Sequence, residues 1–297
     1  MRIIRYVKGA GKQLAAVTKD NEVIDLPYTD FMSMVAEARN LNRTPFYMVK
    51  QLVAEGGKKA FNGLELTTPI DAPEVWAAGV TYKKSKEARN YESTQGKLDT
   101  ETFYDKVYDA VRPEIFFKST AARTVGPNEP VYLRSDSNWQ IPEPELGLVI
   151  DKDGTVLGYT AGNDMSCRDI ESENPLYLPQ AKVWKNSCSI GPSILLKEAV
   201  ADPYEFQIIC RIYRDEKLVF EGDAQVNQLK RKLEELIHYL MLDNNIFDGT
   251  VLLTGTCVVP PNDFTLYEND YIEIEIPGIG VLNNPVLQSK KVAQVNQ

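Results

Sequence analysis

The chain has 297 residues, of which 43% are hydrophobic and 25% charged, and it carries a formal net charge of −9. That length can bury a full core, as one large domain or two unequal ones, and the composition excludes a disordered chain. Acidic residues are spread along the chain without the basic stripe that a nucleic-acid partner requires. No apolar run approaches the roughly 18 residues of a membrane helix and the N-terminus lacks a signal-peptide core, so a cytoplasmic protein with no membrane partner is expected.

Residues 1 to 71 read as a small N-terminal module: strand-like RIIRYVK and QLAAVTK around Gly9-Ala10-Gly11-Lys12, then NEVIDLP and a helical FMSMVAEAR. The Gly-Lys pair is a hairpin turn, because the spacing of a phosphate loop is absent and a strand follows it. Pro69 and Pro73 mark the boundary, and residues 72 to 297 form the second unit. Glu74 to Tyr82 is an apolar strand feeding a charged segment. The second half of that segment, with Phe103, Val107 and Val111 at four-residue steps, is expected to be helical. Next, RPEIFFKST forms a strand that places Glu114, Phe116 and Lys118 on one face. An isolated Glu/Lys pair there is equally a surface ion pair of little energetic weight.

The stretch from Trp139 to Arg168 is the most informative. Glu143 and Glu145, two residues apart at the start of an apolar run, point to the same face of a strand. Pro142 and Pro144 confine that start to a sheet rim. A turn at Asp153-Gly154 leads into a second run, Thr155 to Thr160, which ends at Asn163-Asp164; if the two runs pair, Asp164 returns beside the glutamates. Three converging carboxylates repel one another by about 4 kcal/mol per pair at 4 Å and an effective dielectric of 20, a cost that a hard divalent cation such as Mg²⁺, Mn²⁺ or Ca²⁺ removes. On spacing alone, a solvated strand face with a turn aspartate fits equally well.

The remainder reads as scaffold. FQIICRIYRDEKLVFEG is a hairpin with its turn at Arg214 to Lys217, and YIEIEIPGIGVL is a half-buried strand pair. Leu229, Leu233, Leu236, Ile237 and Leu240 form a helical stripe that leaves His238, the single histidine, on the polar flank. Cys167, Cys188, Cys210 and Cys257 lack metal spacing and read as reduced thiols.

Several blocks in order resemble the fumarylacetoacetate hydrolase superfamily over roughly residues 72 to 287. They are Pro-Glu-Pro-Glu-Leu from Pro142, Gly158-Tyr159-Thr160, Asn163-Asp164-Met165-Ser166, Arg168-Asp169, Gly191-Pro192, Leu253-Thr254-Gly255-Thr256 and Gly278-Ile279-Gly280-Val281-Leu282-Asn283. The resemblance implies an α+β, mostly β fold: a mixed β-sandwich roll with a small N-terminal α/β module. It implies Glu143, Glu145 and Asp164 as metal ligands, a lid after the Glu74 strand, substrate contacts at Gly255 and Thr256, and a homodimer or homotetramer. Hydrolytic members carry Asn-Tyr-x-x-His-x-x-Glu where this chain has Thr81-Tyr82-Lys83-Lys84-Ser85-Lys86-Glu87-Ala88. Serine replaces the histidine and alanine the glutamate, so the general base that activates water is missing, a contribution of about 10²- to 10⁴-fold. RPEIFFKST, RDIESENPLYLPQAK and Ile190-Gly191-Pro192 resemble a sugar-acid dehydratase branch of the superfamily. That branch implies a catalytic Glu114 and Lys182, with Lys118, Ser119 and Ser85 beside the substrate. The implied reaction is loss of water from a 2-dehydro-3-deoxy sugar acid, a 2-oxo acid, with Lys182 lowered in pKa by burial to act as base and Glu114 as acid, or the reverse. C–C hydrolysis or decarboxylation of an acylpyruvate-like substrate is the alternative.

Overall fold

The computed structural model describes residues 1–94 and 103–289. Its backbone is organised by a mixed sheet of eleven strands, in which Pro144–Ile150 lies between Val156–Asp164 and Thr250–Leu253. A second sheet of five strands contains Gln207–Arg214, Lys217–Gln225, Tyr271–Ile276 and Gly280–Gln288.

The run PELGLVI is buried at every position, and the layers explain why. Leu146, Leu148 and Ile150 point into a core shared with Ile208, Ile212, Ile272 and Ile274 of the five-stranded sheet and with Leu233, Leu236 and Leu240. Val149, on the other face, joins a second core with Phe31, Met34 and Val35 and with Met48 and Val49. A strand covered on both faces carries a continuous apolar run instead of an alternating one. This is the mixed α+β sandwich that the resemblance implies.

The N-terminal strand Arg2–Lys8 pairs antiparallel with Cys188–Leu196, so the sheet of residues 1 to 71 continues directly into that of the remainder. Asp30 caps the expected helix Phe31–Asn40, accepting from the Ser33 amide at 2.8 Å. The sequence reading missed a second helix, Pro45–Glu55, although Thr44 before Pro45 is a recognisable start signal. Buried Arg5 joins this layer to the chain beyond it, donating to the Thr68 carbonyl at 2.8 Å and to Asp71 Oδ2 at 2.7 Å.

Beyond the Val75–Gly79 strand the charged segment is helical from Lys83 to Thr94, earlier than expected. The expected second-half helix spans Phe103–Asp109, and Val111 lies past its end with 83% of its surface exposed. Residues 95 to 102 of the expected lid lie outside the described residues. His238 is exposed on the helix Leu233–Met241, as its polar flank implies. Among the described residues no helix is long and apolar enough to cross a membrane. Asp71→Ala should lower unfolding stability by about 1.5–3 kcal/mol, the usual value of hydrogen bonds to a charged group. Urea denaturation measures it, and a loss below 0.5 kcal/mol (about a third of the low end of that range) would show that the Asp71 contact does not fasten the N-terminal layer.

Candidate active site

The Pro144–Ile150 and Val156–Asp164 strands form the expected hairpin around Gly154, whose φ of +78° suits a residue without a Cβ. Pairing of Pro144 with Asn163 puts Asp164 opposite Glu143, and the Asp164 amide donates to the Glu143 carbonyl at 2.9 Å. Glu143, Glu145 and Asp164 are all buried and each offers a carboxylate oxygen within 4.8 Å of the others. The expectation of a sheet rim holds only in part. The glutamates mark a strand's start, but the strand is internal to the sheet.

The third wall comes from the chain after Thr250–Leu253. Gly255 donates its amide to Glu145 Oε2 at 2.6 Å and adopts φ +98°, and a Cβ there would lie 1.9 Å from Thr81 Oγ1. Thr256 lines the cavity, and its hydroxyl lies 3.1 Å from the Pro144 carbonyl oxygen.

Two buried lysines face the carboxylates. Lys182, at the end of the helix Leu178–Lys182, places Nζ 2.5 Å from Glu143 Oε2 and 3.1 Å from Asp164 Oδ2. Lys118 Nζ lies 2.6 Å from Asp164 Oδ1 and donates to the carbonyls of Met165 at 2.8 Å and Lys182 at 2.5 Å. Two backbone carbonyls thus accept from its ammonium, with Asp164 beside it as a charge partner, and Lys118 is not among the residues lining the cavity, where a substrate contact was expected. The register between Val75–Gly79 and Glu114–Ser119 shifts at this point, with Val75 opposite Ser119 and Trp76 opposite Phe117, so Lys118 is the extra residue.

The cavity is lined by Ser85, Arg89, Phe116, Arg168, Lys182 and Thr256 together with the three carboxylates. Ser119 is not among its lining residues; its hydroxyl accepts from Thr124 Oγ1 at 3.0 Å. Ser85 turns its hydroxyl onto the Tyr82 carbonyl at 2.8 Å. Glu114 lies against Gly79, where a Cβ would come within 1.9 Å of its Oε2, and that oxygen is buried without a hydrogen-bond partner among the described residues. Arg89, Arg168 and Glu171 were not picked out from the sequence as site residues. Arg168 stood inside a recognised block, but nothing in the spacing marks Arg89, whose burial depends on the helix Lys83–Thr94 meeting Arg168–Glu173.

The electrostatics follow from this packing. Burial raises Glu143, but the charges of Lys182, Arg89 and Arg168 outweigh it and bring the carboxyl down to about 2. Glu145 is pushed well above the ordinary carboxylate range by burial, and then by Asp164 and Glu143. Burial also raises Glu114, against the pull of Arg89 and Lys182. Lys182 departs from expectation: burial lowers it, but Asp164 and Glu143 prevail and its pKa is raised. The expectation omitted those two neighbours. The four cysteines are buried free thiols, each pushed up to about 12 by burial first.

The donor set suits a hard divalent cation: three carboxylates with no histidine or thiol. The raised Glu145 supports this, since its two carboxylate neighbours hold on its proton and a cation among them would release it.

Residues 74–287 match the fumarylacetoacetate (FAA) hydrolase C-terminal family model, and the chain belongs to that family. Within it, the chain is similar to dehydratases. The 2-dehydro-3-deoxy-D-arabinonate dehydratase of Saccharolobus solfataricus is 48% identical over 231 residues, 78% of this chain and 77% of that protein. A probable 2-keto-3-deoxyxylonate dehydratase of Haloferax volcanii is 41% identical over 287 residues, 93% of this chain and 96% of its own. A solved structure of 2-keto-3-deoxy-D-arabinonate dehydratase complexed with magnesium and 2,5-dioxopentanoate matches with a TM-score of 0.83 at 38% identity, covering 98% of this chain and 100% of that one.

Magnesium at a hundredfold excess over its Kd should stabilise the fold by about 2.7 kcal/mol, read as a raised melting temperature that Glu145→Gln abolishes. Binding displaces the Glu145 proton, so affinity should increase as pH rises through that titration. Calorimetry in buffers of different ionisation enthalpy would detect the released proton. A pH-independent affinity would remove Glu145 from the metal site.

Proposed function

We propose that this protein is a magnesium-dependent dehydratase of a 2-dehydro-3-deoxy sugar acid, converting 2-dehydro-3-deoxy-D-arabinonate to 2,5-dioxopentanoate and water. The observation that carries the proposal is Lys182 on the cavity wall against Glu143 and Asp164, with buried Glu114 packed against the lining residue Gly79, in a chain that has Ser85 and Ala88 where the family resemblance implies a water-activating His and Glu. The relatives' two substrate names support one compound. Once C2 of a pentonate is a carbonyl and C3 a methylene, C4 is the single stereocentre left.

Glu143, Glu145 and Asp164 would hold the ion. When bound, it supplies Lewis-acid polarisation of the 2-oxo group, which acidifies the C3 hydrogens. Lys182, held between Glu143 and Asp164, would take the C3 proton as the neutral amine, a form those two carboxylates disfavour and that neutralising their charge would release. Glu114, whose protonated form burial favours, would donate to the C4 hydroxyl, so that the C4–O bond breaks and water leaves. The opposite assignment of acid and base is equally balanced in protons. The unsaturated acid reaches the dioxo product by losing the protons of its C5 carbinol carbon and C5 hydroxyl and gaining protons at C3 and C4. Lys118 acts from behind the site, orienting Asp164 and the end of the Lys182 helix.

Around this chemistry we place residues 1–71 as an appended unit on the catalytic 72–297, in a cytoplasmic homo-oligomer that serves pentose breakdown. The hydrolase alternative is not favoured, because Ser85 is engaged with a backbone carbonyl and cannot act as a general base.

Incubation with magnesium and a panel of 2-dehydro-3-deoxy pentonates and hexonates should yield an aldehyde and no cleaved acid. Glu114→Gln and Lys182→Met should each lower kcat by about 10²- to 10⁴-fold while magnesium still binds, and near-normal turnover in both would refute the assignment. Lys118→Met should instead weaken magnesium binding by about 10- to 100-fold, the usual effect of losing a group that orients a ligand. Calorimetric titration distinguishes the two classes of variant.

A further inference from the structure

One buried ion pair meets the cavity without a part in the reaction. Arg89 lines the cavity and sets its guanidinium against Glu171, whose side chain is 2% exposed and its own 7%. Glu171 also accepts from Ser166 Oγ at 3.1 Å, and Arg89 lies 3.9 Å from Glu143 Oε1. A guanidinium on a cavity wall is the group best shaped to grip a carboxylate by two parallel hydrogen bonds. Here a glutamate of the same fold already neutralises it, in a setting where a second anion would be stripped of water beside both Glu171 and Glu143. The other cavity arginine, Arg168, lies 5.9 Å from the Trp139 ring centre and lends its charge to Glu143. A neutral hydroxyl makes no such demand, since it can donate to the glutamate or accept from the arginine.

We propose that the Arg89–Glu171 pair selects the charge of the substrate's far end, admitting 2-oxo acids with a neutral, hydroxyl-bearing tail and excluding those that carry a second carboxylate. This rests on the reading that the metal-loaded cavity takes a 2-oxo acid.

The test uses the full chain with magnesium and two probes of equal chain length, 2-oxopentanoate and 2-oxoglutarate, which differ only at C5. Calorimetry should show the monoanion bound at least tenfold more tightly. Glu171→Gln removes a negative charge from beside the guanidinium, so this preference should fall at least tenfold. Arg89→Gln leaves Glu171 uncompensated, so the preference should rise at least threefold. A structural role would shift both probes together, and the Arg89 variant carries the test if Glu171→Gln fails to fold. A wild-type ratio near one, or a ratio that neither variant moves, overturns the proposal while the 2-oxo acid reading stands. Failure of both probes to bind the magnesium-loaded protein overturns both.

Discussion

The interaction on which this structure depends is the burial of three carboxylates and two lysines at one end of a hairpin. Glu143, Glu145 and Asp164 lie within 4.8 Å of one another, with Lys182 and Lys118 against them. Isolated, each charge would cost several kcal/mol to bury. Together they leave one carboxyl, that of Glu145, pushed toward its neutral form. The imbalance gives the site its affinity for a hard cation. It also explains why Lys182 holds its proton more firmly here than burial alone would allow.

Such a cluster survives because the surrounding layers are rigid. The strand that carries Glu145 is covered on one face by the five-stranded sheet and on the other by the N-terminal helices. The lysines arrive from separate elements, a bulged strand and the end of a short helix, and Lys118 touches the backbone at the root of Lys182. Asp164, Lys182 and the scaffold are therefore linked through one ammonium group, and displacement of Lys118 would disturb all three.

Chemistry in this fold is decided at the margin of that cluster. The three carboxylates converge, while Ser85, at the position where the family resemblance implies a histidine base, donates its hydroxyl to the Tyr82 carbonyl. Glu114 is placed against Gly79, where the absence of a Cβ leaves room for its carboxyl. Arg89 lines the same cavity with Glu171 against its guanidinium. Which bond breaks and which tail is accepted thus turn on a few side chains around an unchanged core.

Much of this was legible in the chain. The E-x-E spacing placed Glu143 and Glu145 on one face, the Asp153-Gly154 turn implied that Asp164 returns to them, and the periodicities of Leu233–Met241 and Tyr271–Ile276 identified a helix and a strand. These are local properties: a side chain's direction within a strand or helix follows from backbone repeat alone. The burial of Lys118 was not, because its partners Asp164, Met165 and Lys182 come from elements that only packing brings to it. Nor was the burial of Arg89 beside Glu171, two residues 82 positions apart by number, on helices that only packing brings together. The upward shift of Lys182 likewise depends on carboxylates that approach it through space. Sequence determined which charged groups the chain possesses and which face of its own element each occupies. Tertiary structure decided which of them neutralise one another, because electrostatic pairing depends on distance and burial, and both are set by contacts between elements remote in the chain.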